Sequence, residues 1–167
     1  MNYEEGKEKF IEAWGTLGSS WGINRTMASI HALLLISPEP LSTEEIMAEL
    51  NISRGNANMN IRMLIDWGIV YKKMKTGERK EYFASEKDIW TISKQIIRER
   101  RKRELGPMLK VLEELHQVPV EDSAKSREFK KMTKTLEQFA GKADNALEKM
   151  IKADEHWFLG SFLNIFK

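Results

Sequence analysis

Residues 42–84 read STEEIMAELNISRGNANMNIRMLIDWGIVYKKMKTGERKEYFA, and this stretch decides the fold. Ser42, followed three residues later by a glutamate, forms a capping box that starts a short helix. The residues Asn51-Ile52-Ser53 form a tight turn, in which Ser53 is the expected N-cap of a second helix. Two short runs rich in β-formers follow, and the glycine-containing turn between them predicts a β-hairpin. A short helix, a tight turn, a second helix and a hairpin in succession indicate a winged helix-turn-helix.

Two helices are predicted before this stretch. Residues 3–16 carry aromatic and aliphatic side chains at helical spacing, and the glycines and serines of residues 18–24 are expected to break or bend the chain. A mostly apolar helix then covers residues 25–36 and ends before Ser37-Pro38-Glu39-Pro40. The winged module is therefore expected to pack on a helical N-terminal segment.

Long helices are predicted after the hairpin. A second capping box at residues 85–88 starts a helix that extends to about residue 116, with an interruption at Gly106-Pro107. The last helix carries apolar residues at alternating steps of three and four, a heptad seam that lets one helix pack along another. The seam consists of Phe129, Met132, Leu136, Phe139, Ala143, Ala146, Met150, Ala153 and Trp157. Such a seam packs either against a second copy or within one chain, and we expect it to join two copies.

These elements predict a mainly α protein with a small β-hairpin wing and a long helical dimerisation extension. Residues 1–85 are expected to form the winged helix-turn-helix domain, and residues 86–167 the helical dimerisation region. The N-terminal helix is a candidate for joining the dimer interface. Hydrophobic residues at 41% and charged residues at 31% are ordinary for a folded chain.

Positive charge is concentrated in the winged module. The net charge is only +2, but residues 51–80 hold seven Lys/Arg against two Asp/Glu, whereas residues 1–50 hold three against eight. A basic segment that coincides with a helix-turn-helix suits a polyanion. The N-terminus lacks the layout of a signal peptide, and residues 27–37 are too few to cross a bilayer, so we expect a cytoplasmic protein with no membrane partner.

The second helix of the motif carries the expected DNA contacts. In a helix-turn-helix this helix lies in the major groove, so one of its faces must be apolar and the other polar. Ala57, Ile61, Leu64 and Ile65 supply the apolar face. Arginine can bond bidentately to guanine, asparagine to adenine, and methionine can touch a thymine methyl. The expected base contacts are Arg54, Asn56, Asn58, Met59 and Arg62, while Ser53 caps the helix and is a candidate phosphate ligand.

The hairpin supplies a second basic surface. Lys75, Arg79 and Lys80 are expected to hold the flanking phosphates or to reach the minor groove. Tyr71, Tyr82 and Phe83 are expected to attach the wing to the module. Two copies would then bind double-stranded DNA with their second helices about one turn apart, on an imperfectly palindromic operator.

The residues of the motif also resemble a known family. Residues 41–56, LSTEEIMAELNISRGN, closely resemble the GbsR branch of the MarR-like winged helix-turn-helix transcriptional regulators. Residues 60–64, 67–70 and 77–83 match that pattern too, and the resemblance covers roughly the first two thirds of the chain. It implies a dimer that represses transcription. Some members control the uptake or synthesis of glycine betaine in response to choline, a role that the DNA-binding motif does not transfer.

The choline link motivates one ligand hypothesis. Trp14 and Trp21, with Tyr3 and Phe10 as further candidates, could form a cage for a quaternary ammonium effector by cation–π attraction. Simple packing of these rings is the alternative. The basic run at residues 98–103 is expected to be a solvated helix face paired with acidic residues, with a supplementary phosphate contact as the alternative.

Other classes of function have little support in the sequence. The absence of cysteine excludes a disulfide framework, a thiolate zinc site and a cysteine nucleophile. No nucleophile–base pair, phosphate loop or metal cluster is recognisable, so we predict neither an enzyme nor a cofactor nor a metal. The alternative from another class is a winged-helix protein-interaction module that does not bind DNA sequence-specifically.

Overall fold

The computed structural model describes residues 1–119, 121 and 123–153, which form a chain of helices interrupted by a small sheet. The N-terminal elements are α1 (Tyr3–Ser20), α2 (Arg25–Ile36), β1 (Leu41–Ser42), α3 (Thr43–Leu50), α4 (Arg54–Asp66), β2 (Val70–Met74) and β3 (Glu81–Ser85). The following elements are α5 (Ile89–Arg100), a π-helix (Arg101–Leu105), α6 (Gly106–Glu114), a 3-10 turn (Leu115–Gln117) and α7 (Ala124–Lys152). Two compact units result, one ending at Ile92 and the other beginning at Ser93.

Helix α1 is longer than its composition suggests. The helix expected over residues 3–16 continues to Ser20, and the break expected within residues 18–24 follows it, where Gly22 takes a φ of +75°. The glycines of α1 serve packing instead. A Cβ on Gly15 would lie 2.7 Å from the Ser29 hydroxyl oxygen, and a Cβ on Gly18 would lie 2.6 Å from the Ala28 Cβ. Glycine therefore allows α1 to approach α2 closely.

The helix-turn-helix follows the predicted local signals. The Ser42 hydroxyl accepts from the Glu45 amide at 3.3 Å, and the Glu45 carboxylate accepts from the Ser42 amide at 2.7 Å, which confirms the capping box. Asn51 ends α3 with a φ of +49°, a left-handed conformation that asparagine tolerates. The Ser53 hydroxyl accepts from the Asn56 amide at 3.3 Å and caps α4 as expected.

The predicted hairpin is present and gains a third strand. β2 and β3 pair antiparallel from Val70↔Ser85 to Met74↔Glu81, and the turn between them places Gly77 at a φ of +85°. The strand β1 adds to the other side of β3, so the sheet order is β1-β3-β2. A strand of two residues is too short to show an alternating pattern, which is why sequence reasoning missed it.

The core of the first unit lies where α2, α4 and the sheet meet. Ala57, Ile61 and Leu64 of α4 are buried against this core, as the apolar face requires, while Ile65 is half-buried. Tyr82 and Phe83 are also buried, as expected of residues that attach the wing to the module. Tyr71, of which the same was expected, is exposed at 39%, because its hydroxyl donates to the Glu86 carboxylate at the surface. Burial of this face holds α4 with its opposite side in solvent.

The helices after the hairpin differ from expectation in their first cap. The predicted capping box at Ser85 is wrong: the Ser85 hydroxyl donates to the carbonyls of Ile69 and Glu86, and the Asp88 carboxylate accepts from the amides of Trp90 and Thr91 instead. Because Ser85 is still paired in β3, its backbone is not available to start a helix.

The interruption predicted at Gly106-Pro107 is confirmed. The five residues before it form a π-helix, in which the Gly106 amide donates to the carbonyl of Arg101. Proline has no amide hydrogen and its ring collides with the carbonyl four residues earlier, so a wider turn accommodates it. The chain breaks again at Val118, and α7 then begins at the Ser123 cap. Trp157, the last residue of the predicted seam, lies outside the described residues.

Candidate nucleic-acid interface

The outer face of α4 exposes most of the predicted base contacts. Arg54, Asn58, Met59 and Arg62 are exposed, with 54% of Met59 accessible, and Asn56 is half-buried in the first turn. No acidic residue occurs on α4 before Asp66. The outer face is therefore polar and cationic, and it stands opposite the apolar face that α4 buries.

Arg54 has a partner that sequence reasoning missed. Its Nη2 donates to the Glu44 carboxylate of α3 at 2.9 Å, and both side chains remain exposed. Hydrogen bonding from the backbone amide of Glu44 and then from Arg54 lowers the pKa of this carboxyl below its usual range. Water and salt screen an exposed pair of this kind, so a phosphate or a guanine can displace the carboxylate.

Asn56 also has a partner that sequence reasoning missed. The Nδ2 of Asn60 donates to the backbone carbonyl of Asn56 at 2.8 Å and to its side-chain Oδ1 at 2.7 Å. Asn60 is 0% exposed and belongs to the buried face of α4, together with Ala57, Ile61 and Leu64. The spacing of four residues between two asparagines is a signal that could have found this pair.

The wing carries its cations on an exposed surface. Every residue from Tyr71 to Lys80 is exposed, and this range includes the predicted contacts Lys75, Arg79 and Lys80. The Lys75 ammonium lies 4.1 Å from the centre of the Tyr82 ring, a cation–π contact. The Tyr82 hydroxyl donates to the Glu78 carboxylate, and this hydrogen bond raises the pKa of Tyr82 to about 12. Tyr82 therefore contacts two residues of the wing turn, Lys75 and Glu78.

The two tryptophans proposed for an effector cage differ in their surroundings. Trp14 lies beside Phe10, with ring centres 5.7 Å apart, and its indole Nε1 donates to the Nδ1 of His31 at 3.3 Å. Trp21 is 53% exposed at the end of α1, and Tyr3 is more exposed still. Trp14 is therefore engaged in packing with Phe10 and His31, as the simpler interpretation expects.

The predicted seam on α7 is an exposed apolar surface. Its first four members, Phe129, Met132, Leu136 and Phe139, are all exposed, and Phe139 is 71% accessible. Further along the seam, Ala143 and Met150 are half-buried. Exposed large apolar side chains at this spacing make one face of α7 a candidate interaction surface.

The basic run at residues 98–103 pairs with carboxylates, as expected. The Arg101 guanidinium binds the Asp144 carboxylate of α7 at 2.5 Å and 2.7 Å, and Arg100 and Arg103 pair with Glu104 and Glu99. This run is accordingly less available for phosphate than the wing is.

Within residues 1–119, 121 and 123–153, no helix combines the length and the apolar composition needed to cross a membrane. Across the same part of the chain, no group of three or more histidine or carboxylate side chains is placed to hold a metal ion.

Comparison with known proteins agrees with this geometry. The chain is 28% identical over 145 residues to the HTH-type transcriptional regulator MmpR5 of Mycobacterium tuberculosis, a match that covers 86% of this chain and 87% of that relative. The chain is similar to helix-turn-helix transcriptional regulators. A crystal structure of a transcriptional regulator has the same fold, with a TM-score of 0.58 and 24% identity over 86% of this chain and 99% of that one. No family model matches the chain.

These similarities confirm the winged helix-turn-helix fold class. They concern transcriptional regulators of the helix-turn-helix type in general, so the narrower resemblance to the GbsR branch stays a prediction.

Proposed function

We propose that the protein is a sequence-specific, double-stranded DNA-binding transcriptional regulator that acts in the cytoplasm as a homodimeric repressor of the GbsR branch of the MarR-like family. The observation that carries the proposal is the outer face of α4, which exposes Arg54 and Arg62 on a helix that buries its other side. The similarity to a helix-turn-helix regulator over most of both chains supports the same function.

The proposed mechanism assigns separate roles to α4 and the wing. The outer face of α4 enters the major groove, where Arg54, Asn56, Asn58, Met59 and Arg62 contact base edges and Ser53 approaches a phosphate. Lys75, Arg79 and Lys80 hold the flanking backbone, which contributes affinity without sequence information. The DNA-binding role is proposed for residues 1–85.

Dimerisation is proposed for residues 86–167. The apolar seam that begins at Phe129 on α7 would pair with a second copy, since burying it removes exposed aromatic and aliphatic surface from water. A twofold arrangement requires a palindromic operator with half-sites about one DNA turn apart. Occupancy of such an operator would block polymerase and repress transcription.

The test is selection of bound sequences from a random duplex pool. Wild-type protein is compared with Arg54→Ala/Arg62→Ala, and Lys125→Ala/Lys149→Ala on α7 serves as the matched control for the loss of two positive charges. We expect a palindromic motif from the wild type and the control, and its loss in the α4 variant. No motif from the wild type would favour a protein-interaction module, in which the wing and the seam bind other proteins.

A quaternary ammonium effector remains part of the proposal. It would have to bind at Trp21, the exposed tryptophan, or displace Trp14 from His31. Titration of the protein with choline and glycine betaine, followed by tryptophan fluorescence and by DNA affinity, tests this element. Unchanged fluorescence and unchanged affinity would remove it while leaving DNA recognition intact.

A further inference from the structure

We propose that Asn60 is a positioning residue that fixes the side-chain amide of Asn56, so that Asn56 presents its Nδ2 donor to the major groove. Asn56 would then favour guanine or thymine over adenine, because the bidentate adenine contact also needs the Oδ1 that is turned towards Asn60. This inference rests on the proposed function and names the base chemistry of one of its contacts.

Two hydrogen bonds determine the orientation of both amides. The Nδ2 of Asn60 donates to the Asn56 carbonyl at 2.8 Å and to the Asn56 Oδ1 at 2.7 Å. If the amide of Asn60 were reversed, its oxygen would face two acceptors. If the amide of Asn56 were reversed, two N–H groups would face each other. The observed arrangement is therefore the one in which each contact between the two residues joins a donor to an acceptor.

The remaining group of Asn56 lies on the side away from Asn60. Asn60 takes one of the two acceptor positions of Oδ1, so the amide is oriented with its Nδ2 away from Asn60. No residue in the described part of the chain accepts from this Nδ2. Asn56 occupies the first turn of α4, and its backbone is fixed there by the Ser53 cap. Residues at the start of this helix are the ones that reach base edges in a helix-turn-helix.

Stability does not account for a buried amide at position 60. Asn60 is 0% exposed, and its Oδ1 has no hydrogen-bond partner among the described residues. A buried carbonyl oxygen without a partner costs free energy, and an apolar side chain of similar size would avoid that cost. The contribution of Asn60 that an apolar residue could not supply is its pair of hydrogen bonds to Asn56.

Base recognition follows from the donor and acceptor pattern of the groove. Adenine offers the N7 acceptor and the N6 amino donor, so the bidentate asparagine–adenine pair needs both Oδ1 and Nδ2 of the asparagine. Guanine offers two acceptors, O6 and N7, and thymine offers O4. With Oδ1 held by Asn60, Asn56 fits guanine or thymine. Adenine would keep a single hydrogen bond, from Nδ2 to its N7, so the bidentate adenine contact expected of asparagine would be weakened at Asn56.

The experiment uses the full chain and selection from a random duplex pool. Asn56→Ala identifies the operator position that depends on Asn56, because its base preference disappears there and persists elsewhere. We expect the wild type to select guanine or thymine at that position. In Asn60→Leu the amide of Asn56 is free to rotate, so the preference over adenine should fall by about tenfold at that position alone.

Controls separate positioning from a general loss of structure. Thermal unfolding of Asn60→Leu is expected to match or exceed that of the wild type, and the operator positions that depend on Arg54 and Arg62 should keep their preferences. If Asn60→Leu does not fold, Asn60→Ala removes the same hydrogen bonds with less bulk and is read in the same way.

The outcomes distinguish this inference from the proposed function. A wild-type motif with adenine at the Asn56-dependent position would overturn the inference, as would an Asn60→Leu profile identical to that of the wild type. A motif that Asn56→Ala leaves unchanged would overturn it as well. In each of these cases sequence-specific DNA binding stands. No wild-type motif at all would refute the proposed function, and the inference with it.

Discussion

Replacement of His31 by glutamine should remove a pH dependence of stability between pH 7 and 5. His31 is 3% exposed, its Nδ1 accepts from the Trp14 indole, and its Nε2 has no partner among the described residues. Burial, and then repulsion from Lys87, lower the pKa of His31 from 6.5 to about 4. The folded protein therefore keeps this imidazole neutral at pH values where the unfolded chain protonates it.

The sign and the size of the effect follow from that pKa. Because the unfolded chain binds the proton first, stability is lost as the pH falls from about 6.5 towards 4. A full difference of that size corresponds to about 3 kcal/mol, of which about 2 kcal/mol falls between pH 7 and 5. The carboxyls of Glu45 and Glu86 have lowered pKa values, so their contribution to stability is lost at a lower pH than that of His31.

The assay is urea unfolding at pH 7, 6 and 5, followed by circular dichroism. The protomer concentration is held constant, because association would add to the apparent stability. The exposed histidine His116 provides the matched control, and His116→Gln should retain the wild-type dependence because His31 still titrates. A wild type whose free energy of unfolding falls no more than that of His31→Gln would refute the argument that burial keeps His31 neutral.

Three further predictions concern single side chains. Glu44→Gln removes the carboxylate that binds Arg54, so the affinity for the selected operator should rise about two- to fivefold when it is measured by fluorescence anisotropy. An unchanged affinity would mean that this ion pair does not compete with DNA. Lys87 donates to the carbonyls of Leu34, Leu35 and Ser37 at the end of α2. Lys87→Met should therefore lower the free energy of unfolding, measured in urea, by about 1–2 kcal/mol, whereas Lys125→Met should leave it unchanged. Leu136→Asp places a charge in the exposed seam of α7 and should shift the protein from dimer to monomer in sedimentation equilibrium. A variant that sediments as the wild type does would show that this seam is not part of the dimer interface.

Local signals in the sequence were sufficient for the helix-turn-helix and the wing. The caps at Ser42 and Ser53 and the turn at Gly77 involve residues within a few positions of one another. Their hydrogen bonds and backbone angles depend on local chemistry, so short patterns predict them. The outer face of α4 was predictable for the same reason, since helical periodicity separates Arg62 from Leu64.

The tertiary structure decided three features that local signals did not. Gly18 lies inside α1 at its contact with α2, where a Cβ would come within 2.6 Å of the Ala28 Cβ. Ser85 has the pattern of a cap but pairs with Val70 in the sheet, so Asp88 begins α5 instead. The strand β1 exists only because β3 lies beside it.

The partners of the candidate interface were decided by packing alone. Glu44 accepts a hydrogen bond from Arg54 because α3 packs against α4, and His31 accepts one from Trp14 because α1 packs against α2. Which groups of Asn56 remain free is set by the burial of Asn60 one turn later. Sequence by itself determined which side chains could face DNA, because a helix has a fixed period. The tertiary structure decided which of their atoms are already engaged, because hydrogen bonds depend on distances of a few ångströms that the order of residues does not contain.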